Sequence, residues 1–184
     1  MTTPDIKDDR FWRAVKMDYD AHMLGKTGFR HGYKVILFER GFHLLFWHRV
    51  QIQLRKVPFI GTFIARIVWY FSSCLYASEV SMFCTIRGGI YIPHASGIVI
   101  GNSVVIETGV TILQGVTIGK NRGVERYPVI GRNAFLGAGC KITGGITIGE
   151  NVAIGANAVV LKDVPANSIA VGVPAVIKAK KQDA

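Results

Sequence analysis

The chain has 184 residues, 49% of them hydrophobic and only 18% charged, a balance that suits a packed globule and excludes a disordered chain. Its formal charge of +10 is spread out, with 12 Lys and Arg against 6 acids in residues 1–78 and 10 against 6 in 79–184, so no basic block marks a nucleic-acid footprint. A diffuse positive field fits phosphorylated cofactors, acidic carrier proteins or an anionic membrane face better.

The start, "MTTPDIKDDRFW", is polar and of mixed charge, and no signal-peptide core follows it, so a cytoplasmic location is expected. Cys74, Cys84 and Cys140 show no CxxC spacing and offer neither a disulfide framework nor a zinc site. Residues 9–77 read as helices. In "DDRFWRAVKMDYDAHMLG", Phe11, Trp12, Val15, Tyr19 and Met23 recur at helical spacing, acids stand near the start, and Gly25 ends the run. "KTGFRHG" reads as a loop, and "YKVILFERGFHLLFWHRVQIQLRK" as one long helix with Gly41 as its weak point. The third helix, Val57 to Ala77, carries Arg66 as its only charge. It is long enough to span a bilayer, but Pro58, Gly61 and the mid-run arginine favour a buried or interfacial helix. His22, His31, His43 and His48 have no partner at a meaningful spacing and read as surface or packing residues.

From residue 80 the texture changes. Every sixth residue from Ile100 is aliphatic: Ile100, Ile106, Ile112 and Ile118, then Ile130, Leu136, Ile142, Ile148, Ile154 and Val160. Gly or Glu follows in seven of the ten cases, and the fifth residue of most hexads is small or β-branched, as at Val104, Ala134, Cys140 and Ala158. This is a hexapeptide repeat, the mark of a parallel β-helix. Each hexad supplies one short strand and one corner, three hexads close a triangular coil, and the aliphatic side chains stack inside. Glycine and small residues suit the corners. Cys140 falls on an inward position as a small apolar residue.

The rhythm breaks twice. Val80, Ile86 and Ile92 keep the six-step, but Ile92 to Ile100 is eight, so two residues must bulge within "PHASGI", where His94 lies. Between Ile118 and Ile130, "GKNRGVERYP" is polar and charged and is expected to leave the prism as a loop. Loops on a rigid scaffold are where function concentrates.

Here "HASGIVIGNSVVIETGVTILQGVTIG", "ERYPVIG", "LGAGCKITGGITIGENVAIGANAVVLKDVP" and "VGVPA" closely resemble the serine acetyltransferase branch of the hexapeptide acyltransferases, whose cores read HATGIV, RHPKIG, VVLKDVP and VGVPAK. The likeness covers 79–178 and extends more weakly to the helices, where "RGFHLLFWHRV" is similar to that family's GFHAL..HR. The resemblance implies a mainly β fold, a left-handed parallel β-helix over 79–178 with an N-terminal helical region over 1–78 and a C-terminal tail over 179–184. It implies acyl transfer from acetyl-CoA, His94 as catalytic base, and Glu79, fifteen residues earlier, in place of the family's orienting aspartate. The family's CoA contacts fall on Gly119, Ala138, Ala156 and Lys162, with Lys178 as phosphate partner; Lys180 and Lys181 read as solvated tail. The family's trimers, with sites between subunits, imply a homotrimer, with pairing of trimers open.

Three family residues that hold serine are missing. The aspartate before the catalytic histidine is Pro93, the histidine of RHP is Tyr127 with Arg126 retained, and the helical Asp-Pro aligns with Lys26-Thr27. These departures point to an acetyl-CoA-dependent O-acetyltransferase acting on a saccharide or glycan precursor of capsule or lipopolysaccharide, its basic aromatic helices resting on a membrane face. The alternative is a serine O-acetyltransferase with a remodelled pocket. An acyl carrier protein as donor fits the charge less well than CoA fits the motifs. A gamma-class carbonic anhydrase shares the prism but needs three histidines on zinc, and this prism has one, so no metal is expected. A non-catalytic scaffold leaves both interruptions unexplained.

Overall fold

Among the described residues four helices precede the repeats: α1 (Phe11–Met23), α2 (Phe29–Phe38), α3 (Arg40–Leu54) and α4 (Gly61–Tyr76). The computed structural model describes residues 11–121, 123 and 125–180; Asp8 and Asp9, read as helix-start acids, and Lys181 lie outside the described residues. Two helix expectations are corrected. Residues 29–32 belong to α2 and not to a loop, and the long second helix breaks at Glu39, whose backbone is extended (φ −79°, ψ 97°). Gly41 is no weak point. A side chain there would overlap the Ile92 carbonyl, so its absence lets α3 lie on the backbone of the first coil.

The buried stripe of α1 also differs from expectation. Ala14, Asp18 and His22 face inward, while Trp12 is exposed. The spacing is helical, but the side chains are polar for a reason the prism supplies below. Among the described residues, no helix is long and apolar enough to cross a membrane.

From Glu79 the chain winds as a left-handed parallel β-helix with three faces. Face A carries Glu79–Val80, Val99–Ile100, Thr117–Gly119, Lys141–Thr143 and Val159–Val160. Face B carries Thr85–Ile86, Val105–Ile106, Val129–Ile130 and Thr147–Ile148. Face C carries Thr111–Ile112, Phe135–Leu136, Ala153–Ile154 and Ser168–Val171, closed by Val176–Ala179, the one antiparallel strand among the described residues. The register is that of the hexads: Ile100 pairs with Ile118, Ile118 with Ile142 and Ile142 with Val160. These ladders are almost completely buried, as are Val104, Val110, Val116, Cys140 and Ala158 between them. Each buried aliphatic side chain contributes about 1.5–3 kcal/mol, so the stacked column is the main source of stability. Burial pushes the Cys140 thiol up to about 12, which leaves it an inert filler of the core.

The tight corners do not fall where the sequence pattern put them. Four of the glycines that follow an aliphatic residue, Gly131, Gly137, Gly149 and Gly155, are close-packed against the next coil. The left-handed conformations lie two positions further on. One corner column runs Gly97 (φ 68°), Gly115 (φ 71°), Gly139 (φ 71°) and Asn157 (φ 56°). A second includes Asn133, Asn151 and Asn167, whose side chains form a ladder with contacts of 3.3 and 3.1 Å. Glycine and asparagine are the residues that tolerate this region at least cost.

The first coil has no coil beneath it, and the helices supply what is missing. Trp69 Nε1 donates to the Val80 carbonyl on face A (3.1 Å). Arg49 donates to the Ile86 and Arg87 carbonyls at the end of the first face B strand (3.2 and 2.8 Å). Asp18 accepts the Gly89 and Ile90 N–H groups (2.9 and 3.1 Å), and His22 accepts that of Ile92 (3.3 Å). These are backbone groups that would otherwise be buried without partners, at about 1–3 kcal/mol each. That requirement makes the inner stripe of α1 polar.

Candidate active site

His94 lies in the segment that leaves face C after Tyr91 and enters face A at Val99, and its two-residue excess is visible in the register: Tyr91 bridges Thr111, twenty residues on, whereas Val99 pairs with Thr117, eighteen on. The imidazole is exposed and has no hydrogen-bond partner among the described residues. Its backbone, by contrast, is held on both sides. Upstream, His22 fixes Ile92. Downstream, buried Ser78 donates its hydroxyl to the Ala95 carbonyl (3.3 Å) and accepts the Ile98 N–H (3.0 Å), while Gly97 N–H donates to the Ala77 carbonyl (2.7 Å). The result is an exposed imidazole on a pinned backbone, suited to present a proton acceptor at a fixed place.

Behind this clamp lies a buried charged pair. Arg49 Nε donates to Asp18 at 2.7 Å, with both side chains almost fully buried. Burial raises the Asp18 carboxyl above its ordinary value, against the pull of Arg49 and of the backbone N–H of Ile90. Breaking such a pair from one side typically costs about 3–5 kcal/mol. Next to it, His48 is fully enclosed; burial first, then the neighbouring Arg49 charge, lowers its pKa to about 3, so the ring is neutral. His22 and His48 are expected from the sequence as surface or packing residues. Both are buried, and His22 is part of the support of the His94 segment. The signal was there in the i, i+4 run of Ala14, Asp18 and His22, and in the His-Arg pair that ends "RGFHLLFWHR". Ser78 left no such signal.

Glu79 opens face A on the adjacent coil, and its N–H donates to the Ile98 carbonyl (2.8 Å). Its side chain is exposed and borders a groove of about 520 Å³ together with Arg66, Trp69, Tyr70, Val99 and Gly101. Within the single chain the carboxylate is not hydrogen-bonded to His94. Pro93 is half-buried beside the imidazole in sequence.

The second interruption leaves from the opposite edge of face A. Ile118 ends on face A and Ile130 begins face B, one strand step for twelve residues, so the predicted loop is present. Arg126 Nη2 donates to Thr147 Oγ1 (2.8 Å), and Lys120 Nζ lies 4.8 Å from the centre of the Tyr127 ring. The remaining predicted positions divide between the two edges. Ala138 and Ala156 stack on the edge that carries His94, linked by Asn157 N–H to Ala138 carbonyl (2.8 Å). Gly119 and Lys162 lie on the edge that carries Arg126 and Tyr127, with open space where a side chain on Gly119 would stand. Lys178 is exposed on the closing strand of face C, away from both. Among the described residues, no cluster of His, Cys, Asp and Glu could hold a metal ion.

Residues 127–162 match the family model described as bacterial transferase hexapeptide (six repeats). The serine acetyltransferase of Bacillus subtilis (strain 168) is 38% identical over 167 residues, 89% of this chain and 76% of that protein. The chain belongs to the serine acetyltransferase family. Among solved structures of that family, the Neisseria gonorrhoeae serine acetyltransferase in complex with serine superposes with a TM-score of 0.84 at 30% identity, covering 94% of this chain and 70% of that one. The Brucella abortus strain S19 serine acetyltransferase in complex with coenzyme A gives 0.85 at 30% identity, over 94% and 69%. As a member of the serine acetyltransferase family the chain is an acetyltransferase. The family also corrects the acceptor expected from sequence. The saccharide reading rested on the loss of serine-binding residues, and it is overturned by relatives named serine acetyltransferase that match the helices as well as the prism.

Proposed function

We propose that the chain transfers the acetyl group of acetyl-CoA to the hydroxyl of serine, giving O-acetylserine and free CoA. His94 takes the proton from the serine hydroxyl as its oxygen attacks the thioester carbonyl. The tetrahedral intermediate then expels the CoA thiolate, which receives that proton from the imidazolium. Glu79 orients the ring as serine and donor close the site, and Arg126 pairs with the serine carboxylate. Gly119, Ala138 and Ala156 leave room for the pantetheine arm, and Lys162 meets the CoA phosphates, a role for which Lys178 stands on the wrong face.

The observation that carries this reading is the extent of the likeness to serine acetyltransferases, 89% of the chain for the Bacillus subtilis protein. The division of the site between two edges of face A supports a homotrimer in which the His94 edge of one subunit meets the Arg126 and Tyr127 edge of the next. The test is release of free thiol from acetyl-CoA with and without L-serine. Serine-dependent release is expected, falling about 10²–10⁴-fold in His94→Ala. Release indifferent to serine, or a His94→Ala protein that keeps its rate, would overturn the assignment.

A further inference from the structure

α4 is inside out. The residues it buries are small or polar, Gly61, Ala65 and Ser72, with Tyr76 at its end. Its large apolar side chains face solvent: Phe63 is 65% exposed, Phe71 66% and Leu75 65%, with Ile67 and Tyr70 between them. At 3.6 residues per turn these side chains lie within about 140° of arc, a continuous stripe. The helix cannot roll to hide it. Trp69 is bonded to the prism, Gln51 Nε2 donates to Ser72 Oγ (3.1 Å), and Arg40 donates to the Leu75 carbonyl (3.0 Å). α2 repeats the arrangement, burying Gly32 and Val35 while Phe29, Ile36 and Leu37 stand outward.

The charge around these helices is one-sided. Residues 24–78 hold eight Lys and Arg and a single acid, Glu39, and with buried Asp18 neutralising Arg49 an excess of six positive charges, most of the chain's +10, lies here. The acids at residues 5–20 mask this when the region is counted from residue 1. Arg66 flanks the apolar stripe of α4, and Arg30 and Lys34 lie on α2; all three are exposed. A broad apolar face bordered by cations is the composition of a helix that lies in a lipid headgroup layer. α4 has 16 residues, about 24 Å, short of the roughly 30 Å hydrocarbon core.

We propose that the helical region docks on an anionic lipid surface through the outward faces of α2 and α4. A second copy of the chain fits the same face less well, because it would bring an equal excess of positive charge against it, whereas anionic headgroups neutralise that excess. The proposal does not rest on the identity of the acetyl acceptor.

Co-sedimentation of the full chain with vesicles tests it, using phosphatidylcholine alone and phosphatidylcholine with about one-third phosphatidylglycerol. Binding is expected only to the anionic vesicles, weakening as salt rises. Two double variants, Phe63→Ser with Phe71→Ser and Arg30→Glu with Lys34→Glu, should each bind about tenfold or more weakly. Their circular dichroism and lipid-free sedimentation mass should match the parent. No binding to the anionic vesicles, or binding undiminished in both variants, would overturn the proposal. So would a lower lipid-free mass in the serine variant, since another copy would then be the cover of this face.

Discussion

His22 Nε2 accepts the backbone N–H of Ile92 at 3.3 Å, two residues ahead of His94, while its Nδ1 lies 2.7 Å from the Asp18 carbonyl. A carbonyl only accepts, so Nδ1 carries the proton and Nε2 is the free acceptor. A helix thereby fixes the entry to the segment that bears the proposed base.

Replacing His22 with leucine removes that acceptor and leaves a buried N–H unsatisfied, a cost of about 1–3 kcal/mol. Urea unfolding should register the loss. If the bond positions His94, kcat of the folded variant falls while KM for acetyl-CoA holds, and His22→Gln, which retains an acceptor, recovers part of kcat. Equal kcat in both variants would reduce His22 to a packing residue.

His48 supplies a pH dependence. Its folded pKa of about 3 lies below the unfolded value near 6.5, so protons favour the unfolded chain in that window. Its contribution to stability is complete above pH 6.5 and is lost as pH falls toward 3, by up to about 1.4 kcal/mol per unit. The His48 Nδ1 atom is buried without a hydrogen-bond partner among the described residues, so His48→Leu should leave stability at pH 7.5 nearly unchanged and flatten the acid limb. Comparing the two unfolding profiles between pH 7.5 and 4 measures the difference.

Corner geometry predicts a sharp contrast between two glycines. Gly139 sits at φ 71°, and a side chain there would collide with Asn157, so Gly139→Ala should cost at least about 1–2 kcal/mol. Thermal unfolding should show a Tm lower by about 2–8 °C. Gly119 has open space and ordinary backbone, so Gly119→Ala should leave Tm unchanged and instead raise KM for acetyl-CoA.

Pro93 stands where the family has an aspartate before its catalytic histidine. Pro93→Asp restores a carboxylate for the serine ammonium, and KM for serine should fall about tenfold, the worth of one modest charge pair in a partly screened site. An unchanged KM would show that this chain holds the ammonium elsewhere.

The prism was legible because its order is one-dimensional. A six-residue period fixes which side chains point inward, and a change of that period locates each departure, as Ile92 to Ile100 and Ile118 to Ile130 did. The helices were read less well. Their spacing placed α1 and α4, but the inner stripe of α1 is set by the backbone groups of Gly89, Ile90 and Ile92, some seventy residues away, which no local pattern reveals. The same holds for the break at Glu39 and for Gly41, whose neighbour is the Ile92 carbonyl. The acceptor was misjudged for a different reason. Loss of side chains at Pro93 and Tyr127 says what a pocket lacks and leaves open what replaces it.

The hydrogen bonds that join Trp69, Arg49, Asp18 and His22 to the lowest coil, two as donors and two as acceptors, also bear on how the chain is handled. A stacked strand ladder left bare at its base is a template on which identical molecules can add without limit, the growth habit of a fibre. Side chains in place of another rung give the stack a floor. Shortening the protein to its repeats would strip away that floor and leave the lowest rung open to another chain.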